Sequence, residues 1–454
     1  MLEGPLFPNI IRFTIPIILT SVLQLLFNAA DLVVVGQFCG SVSVAAVGAT
    51  GSITGLLVNF FIGLSVGAGV AVAHGLGGRE NQVVHRTVHT ALPTAILSGA
   101  ILTVAGLTYS ETFLIMMGTP DTVLPLSTVY MRIIFCGVTF NMVYNFCASI
   151  LRAAGDTKSP LVFLLFAGVL NVILNLVFVI QFQMNVAGVA LATVLAQTIS
   201  AFLCLWKLLR MRDVFDLTLH YLKPCSAPIA NIIRIGVPSG ITQAIFSVAM
   251  LVVQSLTNSF GEMVIACNVI VMRVDGFAMM PNFTFGQAMT TYTGQNVGAR
   301  RLDRVHQGAK QGTWIAVGIS AFLTALILLF GRQLMGVFTE TAVLVDLSMR
   351  MMQILAFGYI AMSITQCLSG VMRGAGDTMT PMWISIITTV VLRVPIAYGI
   401  AFFTRSAEYP TGRPESTFIS LLVSWSLGAL LTAVAYRFGA WRKRLATAEP
   451  APQL

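Results

Sequence analysis

Long apolar stretches alternate with short polar breaks along this chain. Nearly uninterrupted hydrophobic runs cover about 13–35, 47–73, 86–109, 127–150, 161–181 and 187–208, and a second set covers about 235–258, 266–292, 311–330, 348–370, 382–403 and 416–438. Each is close to the roughly 20 residues that a helix needs to cross the hydrocarbon core of a bilayer. A segment surrounded by lipid must satisfy its backbone within itself, so runs of this length predict helices rather than open strands. The first run follows Arg12 and ends without a small-residue cleavage site, which predicts a retained span and not a cleaved leader. The pattern predicts an all-α polytopic membrane protein with twelve transmembrane helices.

The runs fall into two sets of six because the chain repeats itself. Leu151 to Pro160 (LRAAGDTKSP) and Met372 to Pro381 (MRGAGDTMTP) match at Arg, Ala, Gly, Asp, Thr and Pro, 221 positions apart. Near the same offset, Asn9-Ile-Ile-Arg12 with Pro16 returns as Asn231-Ile-Ile-Arg234 with Pro238. Gly77, Arg79 and Gly137 likewise return as Gly298, Arg300 and Gly358. Self-similarity over half the length predicts two homologous halves. The expected organisation is an N-terminal six-helix lobe over 1–209, a cytoplasmic linker over 210–234, a C-terminal six-helix lobe over 235–440 and a tail over 441–454. The linker is marked by Arg212, Asp213, Asp216, His220, Lys223 and two prolines. Six is even, so both halves enter the membrane from the same side and the repeats are parallel.

Composition agrees with the pattern: 56% of residues are apolar and 9% charged, against about 25% charged in an ordinary soluble domain. The net charge of +9 does not predict nucleic-acid binding, because the basic residues sit in short loops between apolar runs. With the N-terminus inside, nineteen of the 26 Lys and Arg residues fall on the cytoplasmic side and only Arg332, Arg405 and Arg413 fall outside. That asymmetry places both termini in the cytoplasm of a multi-pass cytoplasmic (inner) membrane protein. Seven cysteines without a CxxC pair predict neither a disulfide framework nor a zinc site. His85 and His89 have metal-pair spacing but no third ligand. Gly155-Asp-Thr-Lys-Ser159 lacks the spacing of a phosphate loop, so no ATP-driven engine is expected. No paired aspartates, HExxH helix or nucleophile with its base appears, and an intramembrane enzyme is not expected.

The repeated element joins the fourth span to the fifth in each half. Gly155 and Gly376 are placed to end one helix in a left-handed conformation, and Thr157-x-Ser159-Pro160 and Thr378-x-Thr380-Pro381 to start the next. Arg152 with Asp156, and Arg373 with Asp377, are candidates to pair within each connector as a structural or gating lock. Pro16 and Pro238 each remove a hydrogen bond from the opening helix of a half, which makes them hinge candidates.

Ionisable residues inside a span are costly and usually face a polar cavity. Two acids qualify. Asp31 completes a stripe of Thr20, Gln24, Asn28 and Asp31, whose steps of four, four and three keep it on one helix face. Nineteen residues beyond Arg12, it lies roughly 28 Å along the helix, in the outer third of the membrane. Asp275 lies two residues from Arg273, which a helix turns to a different side, so Arg393 on the eleventh span is the alternative partner. Whether Asp275 forms a structural bridge or recognises a cationic substrate stays open at this level. Phe27, Phe60, Phe61, Phe135, Phe246, Phe277, Phe285 and Tyr292, with nearby methionines, would suit a deformable pocket or ordinary helix packing.

Several stretches together resemble the MATE (multidrug and toxic compound extrusion) transporters. They are the RAAGDTKSP connector, Asn258-Ser-Phe-Gly261, Gly276-Phe-Ala with Met280-Pro281, Phe285-Gly-Gln-Ala288, Gly294-Gln-Asn296 with Gly298-Ala299, and the second RGAGDT. The resemblance implies V-shaped six-helix lobes forming a secondary antiporter. Such a protein exports amphipathic or cationic organic compounds against inward protons or sodium ions, without a cofactor, and is expected as a monomer in the bilayer. It looks closer to the DinF-like bacterial branch, in which a first-span aspartate belongs to a cation site. Asp31 matches that aspartate, and Asn171, Asn175 and Thr193 fall where the branch places further polar groups. Asn175 stands where many relatives carry a second aspartate, which leans toward protons without excluding sodium supported by amide oxygens. The C-terminal acidic site of NorM-like members is missing: the seventh span offers the neutral Gln254, and the tenth Tyr359, Ser363 and Gln366. A lipid-linked precursor flippase or an exporter of one metabolite is the alternative, although a flippase would require a strongly basic central cavity that these spans do not supply.

Overall fold

The computed structural model describes residues 2–215, 217–218, 222, 225–407, 409–439 and 441–442. Asp216, His220 and Lys223 of the expected linker, and the tail beyond Arg442, lie outside them. Among the described residues, twelve helices are long and apolar enough to cross a membrane. The N-terminal half supplies α1 (Leu6–Phe38), α2 (Ser41–Gly77), α3 (Asn81–Met116), α4 (Leu124–Ala153), α5 (Lys158–Gln181) and α6 (Asn185–Arg210). The C-terminal half supplies α7 (Ser226–Ser259), α8 (Glu262–Gly298), α9 (Leu302–Gly336), α10 (Ala342–Gly374), α11 (Met379–Phe403) and α12 (Glu415–Phe438). Each helix outruns its apolar core because polar turns continue it past the membrane boundary. No strand occurs among the described residues. Large apolar side chains such as Leu97, Val104, Leu329 and Phe403 remain exposed on the protein, as surface covered by lipid requires.

The repeat extends to the turns. Gly40 and Gly261 precede α2 and α8 with φ of 83° and 93°, and Arg79 and Arg300 follow those helices with φ of 56° and 57°. Gly155 and Gly376 close α4 and α10 at φ 91° and 87°. After each of these glycines the chain folds back: Asp156 N donates to Leu151 O at 2.9 Å, and Asp377 N to Met372 O at 2.9 Å.

The next helix of each connector is capped by the aspartate. Asp156 Oδ1 accepts from Ser159 N at 2.9 Å while its Oδ2 accepts from the Ser159 hydroxyl. Asp377 repeats this with Thr380, at 3.1 Å to the nitrogen and 2.7 Å to the hydroxyl. A carboxylate at a helix N-terminus accepts more strongly than a hydroxyl and also meets the positive end of the helix dipole, so it takes the capping place that the sequence offered to Thr157 and Thr378. Neither aspartate forms an ion pair with its connector arginine among the described residues. Lys207 Nζ approaches Asp156 Oδ2 at 3.9 Å instead. Arg152 lies within electrostatic reach of Tyr144 and Cys204, and Arg373 lies beside Gly286.

The chain divides into two compact units, Arg12–Ala244 and Glu3–Ile11 together with the chain from Ile245 on. In the first, α2, α3, α4 and α6 close around Ala68, Val72, Val88, Leu92, Phe146, Ile150 and Cys204. The opening turns of α7 belong to this unit and cross α2 with backbones nearly touching, since a Cβ on Gly63 would collide with the backbone of Gly240. Lipid removes the ordinary hydrophobic drive for helix association, so such close approach of small residues carries much of the packing. Part of the linker docks here as well. Phe215 and Leu217 are buried, and Thr218 N donates to His89 Nε2 at 3.1 Å. His89 also bonds through Nδ1 to the His85 carbonyl at 2.8 Å, so its ring is committed to structure. The second unit is built on α8, α10 and α12 around Val271, Val274, Met351, Leu355, Tyr359 and Trp425. Two helices contain wide π-type turns, Val177–Gln181 in α5 and Ile387–Leu392 in α11.

Candidate functional site

The polar stripe on α1 leads to a hydrogen-bonded cluster inside the N-terminal unit. Asp31 is only 9% exposed. Its Oδ1 accepts from Asn175 Nδ2, and its Oδ2 lies 3.2 Å from the Thr193 hydroxyl. Asn171 and Asn175 stand one turn apart on α5 and are joined at 3.3 Å, while Asn171 Nδ2 donates to Thr193 Oγ1 at 3.3 Å. Thr193 has a single hydroxyl proton and a second acceptor within reach, the Val189 carbonyl at 3.0 Å. The cluster therefore has more than one satisfied arrangement of protons.

Packing explains why these helices meet there. One turn below Asp31, the ring of Phe27 fills the position that a side chain on Gly168 would occupy, which lets α1 lie directly on α5. Above the site, Val34, Val35, Val179, Val186 and Val189 form an apolar cap, with Tyr130 of α4 packed against it. Tyr130 lies within electrostatic reach of Asp31. Tyr130 carries one signal in the sequence, an aromatic with a polar tip inside an apolar run.

Four of the six residues expected at this site, Asp31, Asn171, Asn175 and Thr193, are brought together. Gln24 and Asn28 are exposed and take no part in the hydrogen-bonded set, although Thr20 and Asp31 on the same stripe are buried. Spacing assigns residues to a face, but neighbouring helices of the unit cover only part of that face.

The donor set suits a monovalent cation. The partners of Asp31 are one amide and one hydroxyl, both neutral, so its negative charge has no resident counter-charge among the described residues. Asn175 Oδ1 is buried without a hydrogen-bond partner. An orphaned buried oxygen beside a carboxylate is an unmet coordination position.

The residues expected in the C-terminal half separate into two groups. Asp275 on α8 lies within electrostatic reach of Tyr359 on α10 and of Arg393 on α11. Arg273 is exposed and outside this group. Gln254 instead joins an amide chain, donating to Asn258 Oδ1 at 2.8 Å and accepting from Asn268 Nδ2 at 3.2 Å. Pro16 and Pro238 sit inside α1 and α7 in matched settings: Thr20 Oγ1 donates to Pro16 O at 2.8 Å, and Thr242 Oγ1 to Pro238 O at 2.9 Å. No group of three or more potential metal ligands occurs among the described residues.

The chain as a whole is similar to known proteins. The MatE family model covers residues 16–177 and again 238–399, one copy in each half. The probable multidrug resistance protein YoeA of Bacillus subtilis is 29% identical over 445 residues, covering 96% of this chain and 94% of its own length. Among solved structures, a MATE protein in a bent conformation superposes with a TM-score of 0.90 at 24% identity, over 98% of each chain. A straight conformation gives 0.88 at 24% identity, over 98% of this chain and 97% of the other.

Proposed function

The chain belongs to the MatE family of multidrug efflux transporters, which are not enzymes, and from that premise we propose a secondary antiporter in which Asp31 binds the coupling ion. The observation that carries this reading is the Asp31 cluster, a buried carboxylate surrounded only by neutral groups. Antiport needs a group whose ion occupancy shifts the balance between inward-open and outward-open states, and an ion shifts that balance only through different affinities for the two. A carboxylate whose counter-charge must come from solution meets the requirement. The proton is the favoured ion, because one carboxylate suffices to hold it. Sodium is the second reading, favoured by the unpartnered Asn175 Oδ1 as an added oxygen ligand.

The exported compounds are small organic molecules, here proposed to be amphipathic or cationic, and the protein acts as a monomer. It lies in the cytoplasmic membrane with both termini inside, as two six-helix lobes that move against each other. Pro16 and Pro238 serve as bending points, since each interrupts the backbone hydrogen bonding inside its helix. The Asp156 and Asp377 connectors act as stiff corners during the movement. Export of a single metabolite or a lipid-linked precursor remains the alternative substrate class.

The deciding experiment is uptake of a fluorescent organic cation into proteoliposomes, with proton and sodium gradients imposed separately. Wild-type protein is expected to accumulate the dye under the proton gradient. Asp31→Asn is expected to bind the dye yet accumulate it under neither gradient; uphill movement by this variant would place the coupling site elsewhere. Orientation is tested by single cysteines at positions 157 and 378 on a cysteine-depleted background. Labelling of either from outside intact cells by an impermeant reagent would overturn the topology.

A further inference from the structure

Arg393 is 8% exposed, and no ion pair within 4.0 Å joins it to any described residue. Its Nε is buried without a hydrogen-bond partner. The wide turn Ile387–Leu392 runs directly into it, giving the helix a local change of winding at the residue that carries the charge. Within its electrostatic reach is Asp275, whose Oδ1 is likewise buried and unpartnered. Opposite charges thus stand near each other without closing into a bridge.

A buried guanidinium cannot relieve itself by losing its proton, so leaving it without a negative group nearby is costly. Asp275 is the charged group that acts on it. While Asp275 is ionised the pair is neutral overall. Once that carboxyl takes up a proton, Arg393 becomes an uncompensated cation deep in an apolar helix bundle, with an unused donor. We propose that Arg393 is then neutralised by a small monovalent anion, so that the C-terminal half holds a halide-type site in which the anion and the ionised Asp275 are alternatives. Proton uptake at Asp275 and anion binding at Arg393 are therefore positively linked. The titratable and charged groups that act on Asp275 are Tyr359 from α10 and Arg393 from α11. Arg273, on its own helix, is exposed. Nothing in this site depends on Asp31.

Chloride binding to the purified transporter, followed by chloride NMR line broadening with gluconate as the blank anion, tests the linkage. Asp275→Asn mimics the protonated carboxyl at nearly constant shape and is expected to bind chloride about tenfold more tightly than wild type at neutral pH. Wild-type affinity is expected to rise as pH falls, whereas that of Asp275→Asn stays flat. The double variant Asp275→Asn, Arg393→Gln is expected to lose the broadening. Equal chloride binding by wild type and Asp275→Asn, or binding that survives in the double variant, overturns the proposal. Should Asp275→Asn not yield folded protein, the wild-type pH series decides by itself: chloride affinity that fails to rise on acidification is sufficient to reject the site.

Discussion

The two halves carry the same turns and the same helix order but surround the acids within their helices differently. Asp31 is held by Asn175 and Thr193, both neutral, with Asn171 bracing them. Asp275 has a tyrosine and an arginine as its neighbours. A carboxylate among neutral donors must take its counter-charge from outside, so its occupancy follows the ion supply. One that stands before a fixed cation is compensated from within. Turns such as those at Gly155 and Gly376 are set by backbone geometry and survive duplication, whereas the charge of a site changes with a single side chain. In this protein the architecture is symmetric and the electrostatics are not.

That contrast is broken most directly by exchanging the acids for amides. Asp31→Asn is expected to lower gradient-driven accumulation by roughly 5- to 150-fold, the range of a typical coupling free energy. Asp275→Asn is expected to reduce yield or substrate affinity while accumulation still responds to the imposed gradient. If liposome assays show the reverse, the coupling role passes to the C-terminal acid.

Within the N-terminal cluster, Asn175→Ala removes both a donor to the carboxylate and the orphaned oxygen. A hydrogen bond to a charged group is worth about 1.5–3 kcal/mol, so a change in ion affinity of about tenfold or more is expected. Separate proton and sodium titrations of transport sharpen the assignment, because loss of sodium dependence alone would identify the oxygen as a metal ligand. Pro16→Ala and Pro238→Ala restore a backbone hydrogen bond to α1 and α7. Slower transport at unchanged ion affinity is expected, larger for Pro16 because α1 also carries Asp31; native rates across the working pH range would remove the hinge.

The smallest effect concerns the element that the halves share most fully. Asp156→Ala and Asp377→Ala each delete a cap, at a cost of about 1 kcal/mol. Thermal unfolding in detergent should show similar losses for the two, with Asp156→Ala slightly worse for the lost approach of Lys207. Strongly unequal losses would mean that the connectors have diverged as the acid sites have.

Much of the architecture was legible in the residues themselves. The apolar runs, the 221-residue offset, the glycines that end α4 and α10, and the isolation of Asp31 within a hydrophobic run are properties of neighbouring positions. Local periodicity and backbone chemistry are written along the chain, so counting recovers them. Partnership across helices is written in no single stretch. That Gln24 and Asn28 stay exposed while Asp31 meets Asn175, that Tyr130 closes on the same site, and that Asp156 caps Ser159 and leaves Arg152 alone depend on helix rotation and depth. So does the gap between Asp275 and Arg393. Rotation and depth are settled by many small contacts at once, such as Phe27 on Gly168 and Gly63 on Gly240, each weak alone and none marked by spacing. The sequence therefore determined how many helices there are, where they turn and which charges they bury, while only their packing decided which of those charges meet.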